Sequence, residues 1–194
     1  MFHRITSTML VSAMALVSSA ASADWQLDAA ASSFFYVTDK AAAVSEVNSF
    51  TGLSGSISDA GAATLAIDLA TVDTAVEIRN QRMRDIVFQV AQFPQATVKV
   101  TVDAAALRDL KPGMATTGSY PIEVMLHGVS AQLNADLQVL KLSADTLQVQ
   151  LARPLIVAAS AFGLAEAVEE LRKLANLASI TPNVVVDFTL VYRQ

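Results

Sequence analysis

Along most of the chain apolar side chains recur at every second position. The runs are Leu65-Ile67-Leu69, Val98-Val100-Val102, Ile122-Val124-Leu126, Leu133-Leu137-Val139, Leu147-Val149-Leu151 and Val184-Val186-Phe188-Leu190. Between them stand Asp68, Lys99, Glu123, Asn134, Asp136, Gln148, Gln150 and Asp187. A pleated strand turns successive side chains to opposite faces, so this period predicts strands with one buried and one wetted face. Turn-forming residues punctuate the pattern at Ser58-Asp59-Ala60-Gly61, Lys111-Pro112-Gly113, His127-Gly128 and Thr181-Pro182-Asn183. Short spacings of this kind suit antiparallel neighbours, and about eight strands in one sheet or barrel are expected.

Two segments break the period. Over residues 163–178, Leu164, Ala167, Val168, Leu171, Leu174, Ala175 and Ala178 follow three-and-four spacing, with Glu166, Glu169 and Glu170 early and Arg172 and Lys173 late. That arrangement predicts an amphipathic helix of about four turns whose charges oppose its dipole. Residues 74–89 lack both β-branching and alternation and predict a short helix or a wound loop. No linker, repeat or composition step divides residues 24–194, which therefore read as one domain.

Residues 1–23 read differently. Met1 and Arg4 supply a positive head, the densest apolar stretch lies between Met9 and Val17, and Ala21-Ser22-Ala23 places small residues where a signal peptidase needs them. A cleaved secretory signal is expected, with the cut after Ala23 and a periplasmic product. The chain has 194 residues, 53% hydrophobic and 16% charged, with 13 Lys+Arg against 18 Asp+Glu. Such a composition excludes a disordered chain, and the acidic balance argues against nucleic acid as a partner. The absence of cysteine removes disulfide, thiolate and lipid-acceptor chemistry even in an oxidising compartment.

Candidate chemistry is sparse. Outside the signal segment His127 is the only histidine, so it alone could serve a Ser-His-Asp arrangement. A strand-end histidine before Gly128 reads more simply as a turn residue. One histidine without cysteine cannot build the common zinc sets, and no metal site or catalytic residue is assigned. Asp103 and Asp109 flank what reads as a loop. Arg79, Arg82 and Arg84 place three guanidinium groups within six residues, a grouping that either grips an anion or pairs with local carboxylates. The remaining unusual feature is the supply of aromatic and aliphatic side chains, which a closed barrel can use as a solid core or as the wall of an apolar lumen.

Several segments, taken in order, carry a resemblance. They are Trp25-Gln26-Leu27-Asp28 with Ser33-Phe34-Phe35, then Ser49-Phe50-Thr51-Gly52-Leu53-Ser54-Gly55, then Ile67-Asp68-Leu69-Ala70-Thr71-Val72-Asp73-Thr74. The last runs into Arg79-Asn80-Gln81-Arg82-Met83-Arg84, Phe88 and Phe93-Pro94, and is followed by Leu126-His127-Gly128-Val129-Ser130 and Ala161-Phe162-Gly163-Leu164. Together they resemble the YceI-like family of exported polyisoprenoid-binding proteins. The resemblance implies an all-β, lipocalin-like antiparallel barrel of about eight strands, with one amphipathic helix and a short helical segment. It implies a lumen that holds a polyisoprenoid or isoprenoid quinone as ligand, with no other cofactor and no enzymatic activity.

Strand parity and family position nominate Phe35, Leu65, Ile67, Leu69, Val98, Val100, Leu126, Leu137, Val139 and Phe188 as lumen lining. Met83, Phe88, Phe162, Leu164 and Leu171 are nominated near a mouth or lid. Arg79, Asn80, Arg82 and His127 are the candidates to meet a polar head group. A long-chain isoprenoid lipid is the expected partner, with transient membrane contact, in a monomer or homodimer. The competing reading is a non-catalytic periplasmic stress or interaction protein with a filled barrel, and an open lumen would separate the two.

Overall fold

The structure, a computed structural model, describes residues 24–41 and 43–194. The signal segment expected at residues 1–23 lies outside the described residues. Twelve strand segments form a continuous antiparallel ring: β1 (Trp25–Leu27), β2 (Ser33–Lys40), β3 (Val44–Phe50), β4 (Leu53–Ile57), β5 (Ala62–Asp68), β6 (Val72–Asp73), β7 (Gln95–Thr101), β8 (Ala115–Leu126), β9 (Val129–Ser143), β10 (Thr146–Leu151), β11 (Leu155–Ala158) and β12 (Asn183–Arg193).

Four pairs of these segments are single staves with a local break. β1 and β2 both pair with one edge of β12, while β10 and β11 both pair with its other edge. β3 and β4 pair with β2 and β1 respectively, and β6 and β5 pair with β3 and β4. Chain neighbours are therefore spatial neighbours all the way round, and the β1–β12 pairing closes an eight-stave barrel.

Local chemistry explains the breaks and turns. Between β1 and β2, Asp28 accepts a hydrogen bond from the Ala31 backbone N–H at 3.3 Å and an ion pair from Arg193 Nε at 2.7 Å, winding residues 29–31 into a tight turn. The β8–β9 hairpin has a two-residue turn in which His127 and Gly128 both adopt left-handed angles, φ +53° and +74°. Mirror-image turns of this sort match the strand twist, and a histidine tolerates the left-handed region better than a β-branched residue does. Gly55 permits close approach of β4 to β5, because a Cβ there would lie 2.3 Å from the Thr64 carbonyl oxygen.

The helices sit at the two ends. α1 (Glu77–Arg82) runs directly into a π-helical turn at Met83–Val87, so residues 74–89 hold a short helix extended by one wide turn. α2 (Ala104–Asp109) occupies the stretch that reads as a loop; Asp103 caps it by accepting from Ala106 N–H at 3.0 Å. Its Ala-Ala-Ala-Leu-Arg-Asp sequence has helix propensity but a single large apolar anchor, Leu107, which conceals it from a period search. α3 (Ala165–Leu174) is shorter than the predicted 163–178, since left-handed Gly163 and Asn176 bound it on either side. Strand register places α2 across one end of the barrel, and α1, its π turn and α3 across the other.

Near the α2 end, Lys141 occupies an inward-facing position of β9 and is buried, with Nζ 4.3 Å from the centroid of the Trp25 ring. Burial pulls its pKa below the ordinary lysine value, and the charge of Asp145 works in the opposite direction. The tryptophan face supplies part of what lost hydration removes.

Candidate functional site

The inward faces of the staves do not meet. They enclose a cavity of about 320 Å³ whose lining runs from Ala106 and Leu107 on α2, past the strand wall, to Val168 and Leu171 on α3. That volume stands at the lower end of the roughly 300–1,000 Å³ of small-molecule sites. Val98 and Val100 face it from β7 and Val102 from just past its end, Ile122, Val124 and Leu126 from β8, and Val184, Val186 and Phe188 from β12. An aromatic series follows one side. Phe34 stacks on Phe188 and meets Phe50 edge-on, both at 6.1 Å, while Phe50 contacts Tyr36 at 5.5 Å and Phe88 at 5.8 Å. Among the described residues no lysine, arginine or histidine lines the cavity, and Asp103 is its only carboxylate.

The structure brings nearly all the nominated lining residues to this wall. Leu65, Ile67, Leu69, Val98, Val100, Leu126, Leu137, Val139 and Phe188 line it from the strands and the turn after β5. Met83, Phe88, Phe162, Leu164 and Leu171 line it from the α1–α3 end. Phe35 does not: it is 41% exposed on the outer face. The pleat of β2 admits only alternate residues, and Phe34, Tyr36 and Thr38 take the inward positions. Three aromatic residues in succession, Phe34-Phe35-Tyr36, give no hydropathy contrast from which to read that parity. Tyr36, Phe50 and the α2 side chains are among the lining residues that were not nominated, as are Phe34, Ile122, Val124 and Val186.

None of the four head-group candidates lines the cavity. Asn80 is buried, and its Oδ1 accepts from the backbone N–H and the hydroxyl of Thr74 at 2.7 and 2.6 Å, which ties α1 to β6. Arg79 donates from Nη1 to Glu46 Oε2 and from Nη2 to the Thr74 carbonyl, both at 2.5 Å. Glu46 also receives Lys40 Nζ at 2.6 Å. Burial acts to raise the Glu46 pKa, but the hydrogen bonds from Arg79 and Lys40 outweigh it and hold the carboxyl below its ordinary value. Arg84 pairs with Glu77 at 2.7 Å, and Arg82 is half-buried outside the lumen. His127 forms its hairpin turn with its ring 4.5 Å from Phe93 and its Nε2 buried without a hydrogen-bond partner. These side chains dock the α1 segment and shape a turn.

Burial also raises the phenol pKa of Tyr36, against the pull of the Arg79 charge, and pushes that of Tyr192 to about 12. Both phenols stay protonated through the physiological range. Among the described residues, no group of three or more His, Cys, Asp or Glu side chains could hold a metal ion, and no helix is long and apolar enough to cross a membrane.

The YceI-like domain model matches residues 25–192. Among solved structures, the chain is similar to a polyisoprenoid binding domain from Saccharophagus degradans implicated in plant cell wall breakdown. The two share 41% identity with a TM-score of 0.86, over 87% of this chain and 97% of that one. BcnA of Burkholderia cenocepacia shares the fold at 19% identity and a TM-score of 0.65, over 85% of this chain and 98% of that one. None of the curated proteins matches the chain.

Proposed function

The chain belongs to the YceI-like family, and we propose that its barrel is a binding protein for the apolar chain of an isoprenoid lipid, a quinone or polyprenyl compound, which it carries or stores. The observation that supports this reading most strongly is the lumen itself, an apolar cavity of about 320 Å³ running between α2 and α3. A filled barrel, as a purely structural or protein-interaction role would need, has no use for that space. Burying an isoprenoid tail contributes about 25 cal/mol per Å² of apolar surface, so affinity comes from length and girth without any ion pair. The likeness to the Saccharophagus degradans polyisoprenoid binding domain, at 41% identity over most of both chains, supports the same ligand class.

The protein acts without making or breaking a bond. His127, the one histidine of the domain, is turned into a hairpin against Phe93 and does not line the cavity. Residues 1–23 direct export, with cleavage after Ala23, and the protein works in the periplasm; the generally exported character of the family supports this. Loading and release involve transient membrane contact at the α1–α3 end, where Val44, Val76, Ile78 and Leu174 are exposed.

Native mass spectrometry of protein purified from a bacterial periplasm, followed by organic extraction, tests the reading. One isoprenoid per barrel is the expected result. A ligand-free mass that persists after quinones and polyprenols are added would overturn it.

A further inference from the structure

Three buried side-chain polar atoms among the described residues lack a hydrogen-bond partner: Tyr36 Oη, Arg79 Nε and His127 Nε2. Of the three residues only Tyr36 lines the cavity. Its place is fixed from every side. The backbone is paired with Val186 of β12 and Asn48 of β3, the ring is stacked on Phe50 at 5.5 Å, and the residue is 6% exposed. The hydroxyl therefore cannot swing out to water. An unpaired buried donor costs about 1–3 kcal/mol, which an acceptor inside the lumen would recover.

The surroundings specify what kind of acceptor fits. An anion entering the lumen would meet no lysine, arginine or histidine on its wall. The one carboxylate there, Asp103, belongs to the far end and is engaged as the cap of α2. Arg79, whose charge acts on the Tyr36 phenol, is directed to Glu46 and the Thr74 carbonyl and does not line the cavity. An ionised phosphate would lose its hydration without a counter-charge, whereas a carbonyl or alcohol oxygen needs only the one donor.

We propose that Tyr36 is the head-group residue of this barrel, its hydroxyl donating a hydrogen bond to a neutral oxygen, carbonyl or alcohol, of the bound isoprenoid, so that the head lies against β2 and β3, the tail extends toward α2, and diphosphate heads are selected against. This inference rests on the reading of the lumen as an isoprenoid site, and it adds the head-group class and the residue that reads it.

The test compares four probes with the same isoprenoid tail, ending as a benzoquinone, an alcohol, a diphosphate or plain hydrocarbon, on the wild-type protein and on Tyr36→Phe. In the wild type the quinone, the alcohol or both should bind more tightly than the hydrocarbon, and the diphosphate should be weaker than the alcohol. Tyr36→Phe should weaken the oxygenated ligand by about three- to tenfold and leave the hydrocarbon unchanged. The quinone and alcohol arms identify which oxygen is read. In the absence of ligand Tyr36→Phe should unfold at higher urea than wild type, because the substitution removes an unpaired donor and keeps the ring. Equal effects of Tyr36→Phe on all four probes, or tightest binding of the diphosphate, would overturn the assignment while leaving the lumen site standing. Failure of every probe, the hydrocarbon included, to bind the wild type would overturn the lumen reading together with it.

Discussion

Replacing Ala135 by leucine asks directly whether the lumen is space or solid core. Ala135 is 2% exposed, stands opposite Tyr120 in the β8–β9 register and lines the cavity from the inward face of β9. Leucine adds three carbons. Buried in an open apolar lumen, they contribute at about 0.8 kcal/mol per methylene, or roughly 2.4 kcal/mol, from which about 0.5–1 kcal/mol of side-chain entropy is lost. The ligand-free protein should gain roughly 1–2 kcal/mol, read from the urea midpoint at unchanged slope. The same three carbons occupy space that the isoprenoid tail would fill, so affinity should fall by roughly fiftyfold if a matching length of tail is displaced. Urea unfolding of the ligand-free variant, paired with titration of an isoprenoid quinone, measures both. A filled barrel behaves in the opposite way, losing about 1–3 kcal/mol to overpacking. Destabilisation of that size with unaltered lipid affinity would refute the open lumen.

Two further substitutions separate scaffold from site. Asn80→Ala strands the Thr74 backbone N–H that Asn80 Oδ1 now satisfies at 2.7 Å, and should cost about 1–3 kcal/mol in urea unfolding. It should not change the ranking of quinone, alcohol and diphosphate ligands; a changed ranking would restore Asn80 as a head-group contact. Lys141→Met keeps the buried stem over Trp25 and removes a charge whose native pKa is lowered by burial, so it should stabilise the protein near neutral pH by up to about 1 kcal/mol. In the wild type the lysine penalty is relieved as pH rises from the lowered native pKa toward the ordinary value near 10.4, since over that interval the unfolded chain holds the proton and the native state does not. The advantage of Lys141→Met should therefore shrink in alkaline unfolding titrations, and an advantage that grew with pH would contradict the assignment.

Where a stave alternates a large apolar residue with a polar one, as Thr97-Val98-Lys99-Val100-Thr101 does, the sequence gives both the strand and its inward face. The structure agrees residue by residue along β7. β2 carries Phe34-Phe35-Tyr36 after its first residue, where burial preference is the same on both faces, and only the pairing of Phe34 with Phe188 and Phe50 determines which rings turn inward. α2 leaves no periodic stripe in the sequence, with one leucine among alanines, although Asp103 at its start is an ordinary capping signal. The arginine cluster is visible as charge density, yet where Arg79 points depends on Glu46 and Thr74, which are distant in sequence from each other and converge only in the fold. Tyr36 carried no sequence signal at all, because an unpaired hydroxyl exists only once its neighbours are in place.

Binding of this kind puts the chain of an isoprenoid inside the barrel, within reach of side chains on several elements. Photo-cross-linking with an isoprenoid quinone bearing a diazirine along its tail, followed by peptide mapping, tests it most directly. Adducts are expected on Met83, Val98, Leu137 and Leu171, which line the cavity from different elements. Adducts confined to the outward-facing Phe35, Val47 and Ile156 would place the lipid on the outer wall and contradict it.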